Sequence, residues 1–158
     1  MHRRQFVLLT ISALALAVPG VAVAEPRPAD RGGARSFKLD LRFGEDPFID
    51  VGASGPSLGD LRVLDDRLFR GNRQVGRDGG SCVVTNASRP EAACSLTFRL
   101  PRGTIAGQWL NQPPRRKVVA VTGGTGLYRG ARGDVIVFEQ SSSRGTATFR
   151  LLSAPNRL

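Results

Sequence analysis

Few side chains in this sequence can do chemistry, and their types narrow what that chemistry is. The segment KVVAVTGGTGLYRGARG, residues 117–133, passes from a β-branched run into glycines, as the first strand and phosphate loop of a dinucleotide-binding domain does. That fold needs a crossover helix after the loop, further parallel strands and an acid about twenty residues on. The residues after Gly126 read instead as two more strands, so the glycines read as a tight turn. The one histidine, His2, lies in a leader expected to be removed, which excludes histidine triads and most zinc chemistry from the mature chain. Glu45, Asp46 and Asp50 share one loop, but their spacing fits no calcium site.

Two cysteines, Cys82 and Cys94, flank the hairpin segment SCVVTNASRPEAACSL. Pairing of its two arms around Ser88 sets them opposite each other, and in an exported chain a disulfide is the expected state. Asp66 is the remaining acid in a suggestive place. In DLRVLDDRLF, residues 60–69, Leu64, Asp66 and Leu68 share one face, so two leucines flank one carboxyl. That arrangement suits a largely apolar pocket with one placed polar group.

The elements that must position these residues are strands. SFKLDLRF, residues 36–43, alternates Phe37, Leu39, Leu41 and Phe43 against Lys38, Asp40 and Arg42, a period of two. Further strands are read over 60–69, 74–87, 92–100, 103–110, 117–122, 134–140 and 145–152, separated by short Gly, Pro, Asn and Ser punctuation. No stretch shows helical spacing. Eight consecutive strands joined by short loops are antiparallel, and closing the sheet on itself removes its edges. The expected fold is all-β, a single-domain eight-stranded antiparallel β-barrel over 36–158.

Residues 1–24, MHRRQFVLLTISALALAVPGVAVA, have a basic start, a short apolar core and a small-residue end, and are read as a signal peptide cleaved after Ala24. Arg3 and Arg4 leave the twin-arginine and Sec export routes both open. Glu25 after the cut is not a lipidated cysteine, so no membrane anchor is expected to remain, and the protein is expected to be extracellular. Residues 25–35, EPRPADRGGAR, read as a flexible leader. The chain carries a net charge of +10, but only Lys38 and Lys117 of its 23 basic residues are lysines. The arginines are scattered singly, with no stripe or aromatic platform, so nucleic acid is not an expected partner.

The segments GDLRVLDDRLF, VGRDGGSCVVT, GTIAGQWL and VAVTGGTGLYRGARGDV occur in the order and spacing of the allene oxide cyclase and dirigent superfamily. The glycines at 123, 124, 126, 130 and 133 are the most specific part of the match, and the chain resembles a bacterial secreted member. The resemblance implies a barrel, often trimeric in the plant relatives, whose lumen takes a small apolar or phenolic molecule without a cofactor. It implies either a cyclase- or isomerase-like reaction or a stereo-directing role. By motif position it places Asp66, Leu64, Cys82 and Trp109 in the pocket, and Arg132 on the arginine of the dirigent signature. Asp134, two residues on, could orient Arg132. Where the plant cyclases carry a first-strand glutamate, this strand offers Asp40, on its polar face, and which face points into the lumen is left open. Two departures stand out: Cys82 tied to Cys94 offers no free thiol, and Asp78-Gly79-Gly80 replaces the usual dirigent Ala-Gln-Gly. The competing expectation is a non-catalytic binding protein or a structural barrel, because side chains alone can fill a barrel of eight strands.

Overall fold

The structure is a computed structural model describing residues 35–152. The expected signal peptide and nearly all of the expected leader lie outside the described residues. Ten strands run in chain order: β1 (Arg35–Arg42), β2 (Phe48–Ile49), β3 (Leu61–Leu64), β4 (Arg67–Arg70), β5 (Arg73–Asn86), β6 (Glu91–Leu100), β7 (Gly103–Asn111), β8 (Arg116–Gly124), β9 (Gly133–Glu139) and β10 (Arg144–Leu151). All pair antiparallel in one sheet, ordered β2-β3-β5-β4-β1-β10-β9-β8-β7-β6, and an additional β5–β6 pairing closes it. The result is the expected eight-stranded barrel. β3 and β4 together fill one strand position, because the 14-residue β5 pairs first with β4 and then, further along, with β3.

The strand read over 60–69 is therefore broken at Asp65-Asp66. Adjacent aspartates favour strands poorly, and here the Asp66 backbone bonds to Asp78, its carbonyl accepting from the Asp78 N–H at 2.9 Å. The two-residue β2, which no periodicity announces, pairs with β3 and lies in the long loop after β1.

Along each barrel strand the side chains alternate inward and outward, as the pleat requires. Leu39 and Leu41 of β1, and Leu96, Phe98 and Leu100 of β6, are buried while their neighbours face out. One half of the barrel is filled. Leu68, Phe98, Ile105, Val135 and Phe149 have no exposed surface, and each contributes about 1.5–3 kcal/mol by leaving water. The Phe149 ring stacks on Phe37 at 4.5 Å and meets the edge of Phe98 at 4.9 Å.

The glycine-rich segment closes this filled end. A single 3-10 turn, Gly126–Tyr128, follows β8, with Gly126 and Gly133 at φ of +56° and +127°. The Leu127 N–H donates to the Arg102 carbonyl, so the segment folds over the β6–β7 turn. No helix among the described residues is long and apolar enough to cross a membrane.

Candidate functional site

The other half of the barrel is open. A cavity of about 310 Å³ opens at the end where β1 leaves the barrel and β9 turns into β10. Its apolar wall is built by period-two inward positions: Leu41 and Phe43, Leu64, Leu96, Trp109 and Val119. Cys82 adds a sulfur surface. It faces Cys94 across β5 and β6, the two form a disulfide, and no free cysteine remains among the described residues.

Two carboxyls enter this apolar space. Asp66, at the β3–β4 break, is half-buried and accepts the Gly44 N–H at 3.1 Å. Asp78, on β5, is only 3% exposed and accepts the Asp66 N–H on Oδ1 at 3.3 Å. Asp78 is paired across the sheet with the fully buried Phe98, so it sits where the open half meets the packed half. Burial, and then the charge of Asp66, pushes its pKa up to about 8, only partly opposed by the Asp66 N–H. Burial likewise raises Asp66, with the Gly44 N–H opposing and the charges of Asp46 and Asp65 adding to the rise. A carboxyl with a pKa near 8 is largely protonated at neutral pH and can donate a hydrogen bond or a proton.

A third polar atom faces the same problem of burial. The indole Nε1–H of Trp109 is buried and has no hydrogen-bond partner among the described residues. A buried donor without a partner costs free energy that a suitably placed acceptor recovers. At the mouth, charges are paired: Arg62 bridges Asp46 at 3.2 Å, and Lys117 lies 4.0 Å from Glu139 and donates to the Gln112 carbonyl at 2.6 Å. No cluster of metal-ligating side chains is found among the described residues.

The structure thus brings Asp66, Leu64, Cys82 and Trp109 together on one cavity and separates two other expected residues from it. Asp40 is exposed on the outside of β1, because Leu39 and Leu41 beside it take the inward positions. Arg132 is exposed in the glycine-rich segment at the closed end, where β8 has already carried the chain away from the mouth. No ion pair joins Arg132 to Asp134, or Asp66 to any arginine, among the described residues. Asp78 was not among the expected site residues. Parity counted back from Cys82 puts Gly80 and Asp78 on the same inward face. The departure from the dirigent pattern at Asp78-Gly79-Gly80 therefore introduces a carboxyl into the lumen.

Comparison with known proteins is decisive for the family. Residues 40–148 match the allene oxide cyclase barrel like domain. The chain belongs to this family. Among solved structures it is similar to a pyocyanin demethylase, with 30% sequence identity and a TM-score of 0.67 over 74% of this chain and 99% of that one. It shares its fold with a pterocarpan synthase dirigent protein, at 16% identity and a TM-score of 0.60, over 77% of this chain and 95% of that one. An exo-specific intermolecular Diels-Alderase, at 16% identity and a TM-score of 0.60, matches 76% of this chain and 98% of its own. No match is found among curated proteins.

Proposed function

We propose that this member of the allene oxide cyclase barrel like family binds a small, flat, largely apolar molecule of aromatic or phenolic type in the open half of its barrel. There Asp78 and Asp66 act on it in a cofactor-independent cyclase- or isomerase-like reaction. The observation that carries this reading is the placement of Asp78, a buried carboxyl at the inner limit of an apolar cavity and bonded to a second acid, Asp66, where burial raises its pKa. Two acids whose surroundings differ divide the labour of proton transfer: the more buried donates and the more exposed accepts. Asp78 is the donor here, Asp66 the acceptor, and the Trp109 Nε1–H orients an acceptor atom of the ligand. The apolar walls hold the molecule folded and keep water away from the transfer. The similarity to a pyocyanin demethylase supports an aromatic ligand. The reading sets this chemistry outside the cytoplasm, on the signal expected over 1–24 and the disulfide between Cys82 and Cys94.

A second reading is capture without turnover, or stereochemical guidance of a reaction that proceeds by itself. It draws on the packed half of the barrel, which leaves room for a small molecule and little for mobile catalytic parts.

Trp109 is the only tryptophan in the chain, so its fluorescence reports directly on the cavity. Titration with pyocyanin and with 2-naphthol is expected to give saturable quenching, with Asp78→Asn and Asp66→Asn altering the affinity. Quenching that never saturates, or is indifferent to both substitutions, removes the carboxyl pair from the site. Saturable binding with no conversion of any aromatic ligand favours capture or guidance over catalysis.

A further inference from the structure

Beyond the mouth of the cavity lies a second hollow of about 420 Å³. Phe48 and Pro56 form one side, and Val84, Ala87, Pro90 and Ala92 form the other. Arg62, Cys82 and Asn111 border both this hollow and the lumen. The connection follows from the register of β5 and β6. Asp78 faces Phe98, Gly80 faces Leu96, Cys82 faces Cys94 and Val84 faces Ala92, all on one side of the hairpin. The surface that lines the lumen therefore continues outward past the disulfide and becomes the floor of the second hollow. Ala92, a small residue at the end of that row, leaves the space unfilled.

The opposite side is fixed rather than left to chance. Asp60 has no exposed surface, and its carboxylate accepts the Val51 N–H at 2.8 Å, the Ser57 N–H at 2.5 Å and the Ser57 hydroxyl at 3.1 Å. Those bonds hold Asp60 below the usual carboxylate range, with burial opposing. Gly59 N–H donates to the Val84 carbonyl at 3.0 Å, and Val84 N–H to the Asp60 carbonyl at 2.9 Å, so the loop is tied to the strand that forms the floor. Phe48 remains 45% exposed beside this space. The cations at the border are already paired, Arg62 with Asp46 at 3.2 Å and Arg89 with Glu91 at 2.9 Å, so the hollow asks for no anionic group.

We infer that the ligand has two parts: a ring system carrying a hydrogen-bond acceptor in the lumen, and an uncharged apolar extension, an alkyl or second aryl group, that passes Arg62 and lies between Phe48 and the Val84–Ala92 floor. The inference rests on the lumen reading above. It goes further by making the outer hollow a specificity site, in which the length of the apolar extension sets affinity.

The test uses 4-propylphenol and 4-nonylphenol as probes, with Trp109 quenching as the readout, on the wild-type protein and on Ala87→Phe and Phe48→Ser, neither of which adds a second indole. Ala87 and Phe48 are both exposed, so neither change disturbs the barrel core. The nonyl probe is expected to bind the wild type roughly tenfold or more tightly than the propyl probe, because each buried methylene adds severalfold. Ala87→Phe and Phe48→Ser are expected to cut that gain to about threefold or less while leaving the propyl affinity within about twofold. A normal propyl affinity with no nonyl gain in the wild type overturns the inference alone, as does a gain that survives both variants. An equal loss for both probes in the variants also overturns it. Absence of saturable quenching by 4-propylphenol overturns the lumen reading and this inference with it.

Discussion

Asp66 and Asp78 are bonded to each other through their backbones and one carboxyl. The Asp66 N–H donates to Asp78 Oδ1 at 3.3 Å, and the Asp78 N–H donates to the Asp66 carbonyl at 2.9 Å. This exchange occupies the point at which β3 ends and β4 begins, so the break in the strand and the pairing of the acids have one cause. It also holds two groups close that repel when both are ionised, which the protein tolerates by keeping a proton on Asp78.

That proton makes stability depend on pH. The folded state holds the Asp78 proton up to about pH 8, whereas the unfolded chain releases it near the ordinary aspartate value of 3.8. Stability is therefore expected to fall as pH rises between those values, by at most about 1.4 kcal/mol per pH unit, and to level off above the upper one. Asp78→Asn keeps an acceptor for the Asp66 N–H and cannot ionise. Urea unfolding at pH 5, 7 and 9 is expected to show the variant gaining on the wild type as pH rises, with Asp66, also raised, leaving a smaller slope of the same sign. Parallel pH profiles for the two proteins would mean that Asp78 is ionised in the fold.

Asp66→Ala removes the acceptor of the Gly44 N–H and the second charge beside Asp78. The barrel is expected to fold, since Asp66 sits in a break and not within a ladder. Ligand affinity is expected to fall by roughly tenfold, the worth of one hydrogen bond to a charged group. The pKa of Asp78 is expected to move down, because the charge that helps raise it is gone. Carbon-13 NMR titration of the aspartate carboxyls follows that shift, and an unmoved Asp78 resonance together with unchanged affinity would take Asp66 out of the site.

The barrel was legible in the sequence because every barrel strand has one packed face, and a packed face writes a period of two. Leu39 and Leu41, or Leu96, Phe98 and Leu100, announce themselves without any neighbour. The site was legible only in part. Leu64, Asp66, Cys82 and Trp109 meet on the cavity, but Asp78 passed only as a departure from the dirigent pattern, because the inward-facing Gly80 beside it carries no hydrophobic signal. Asp40 and Arg132 were drawn in by family position. Which face of β1 points inward, and which end of the barrel is open, follow from long-range pairing that no local pattern states. The two-residue β2 and the loop fixed by Asp60 are likewise products of tertiary bonds.

The disulfide is the next feature open to test. Cys82 and Cys94 are directly opposed in the β5–β6 ladder and separated by 12 residues. Closing a loop of that size is expected to stabilise the fold by roughly 3 kcal/mol. Peptide mapping without reductant is expected to give one peptide pair joined through Cys82 and Cys94, and Cys82→Ser with Cys94→Ser is expected to lower the unfolding free energy by that order. Two alkylatable thiols in the native protein would contradict the assignment.

Gly79 and Gly80 supply a paired test of the inward face. A Cβ on Gly80 would run into the Ser95 carbonyl and the Leu96 backbone, neither of which can turn aside, whereas a Cβ on Gly79 meets only the Leu64 carbonyl at 3.8 Å, an ordinary contact. Gly80→Ala must therefore push β5 away from β6, disturbing the ladder beside both Asp78 and the disulfide, and is expected to cost on the order of 1–3 kcal/mol or to prevent folding. Gly79→Ala is expected to be neutral, or stabilising by about 0.5–1 kcal/mol through the loss of backbone freedom in the unfolded chain. Thermal melts of the two variants side by side separate the cases. If both tolerate alanine equally, β5 and β6 do not approach each other as the register requires, and the cavity wall that carries Asp78 is differently built.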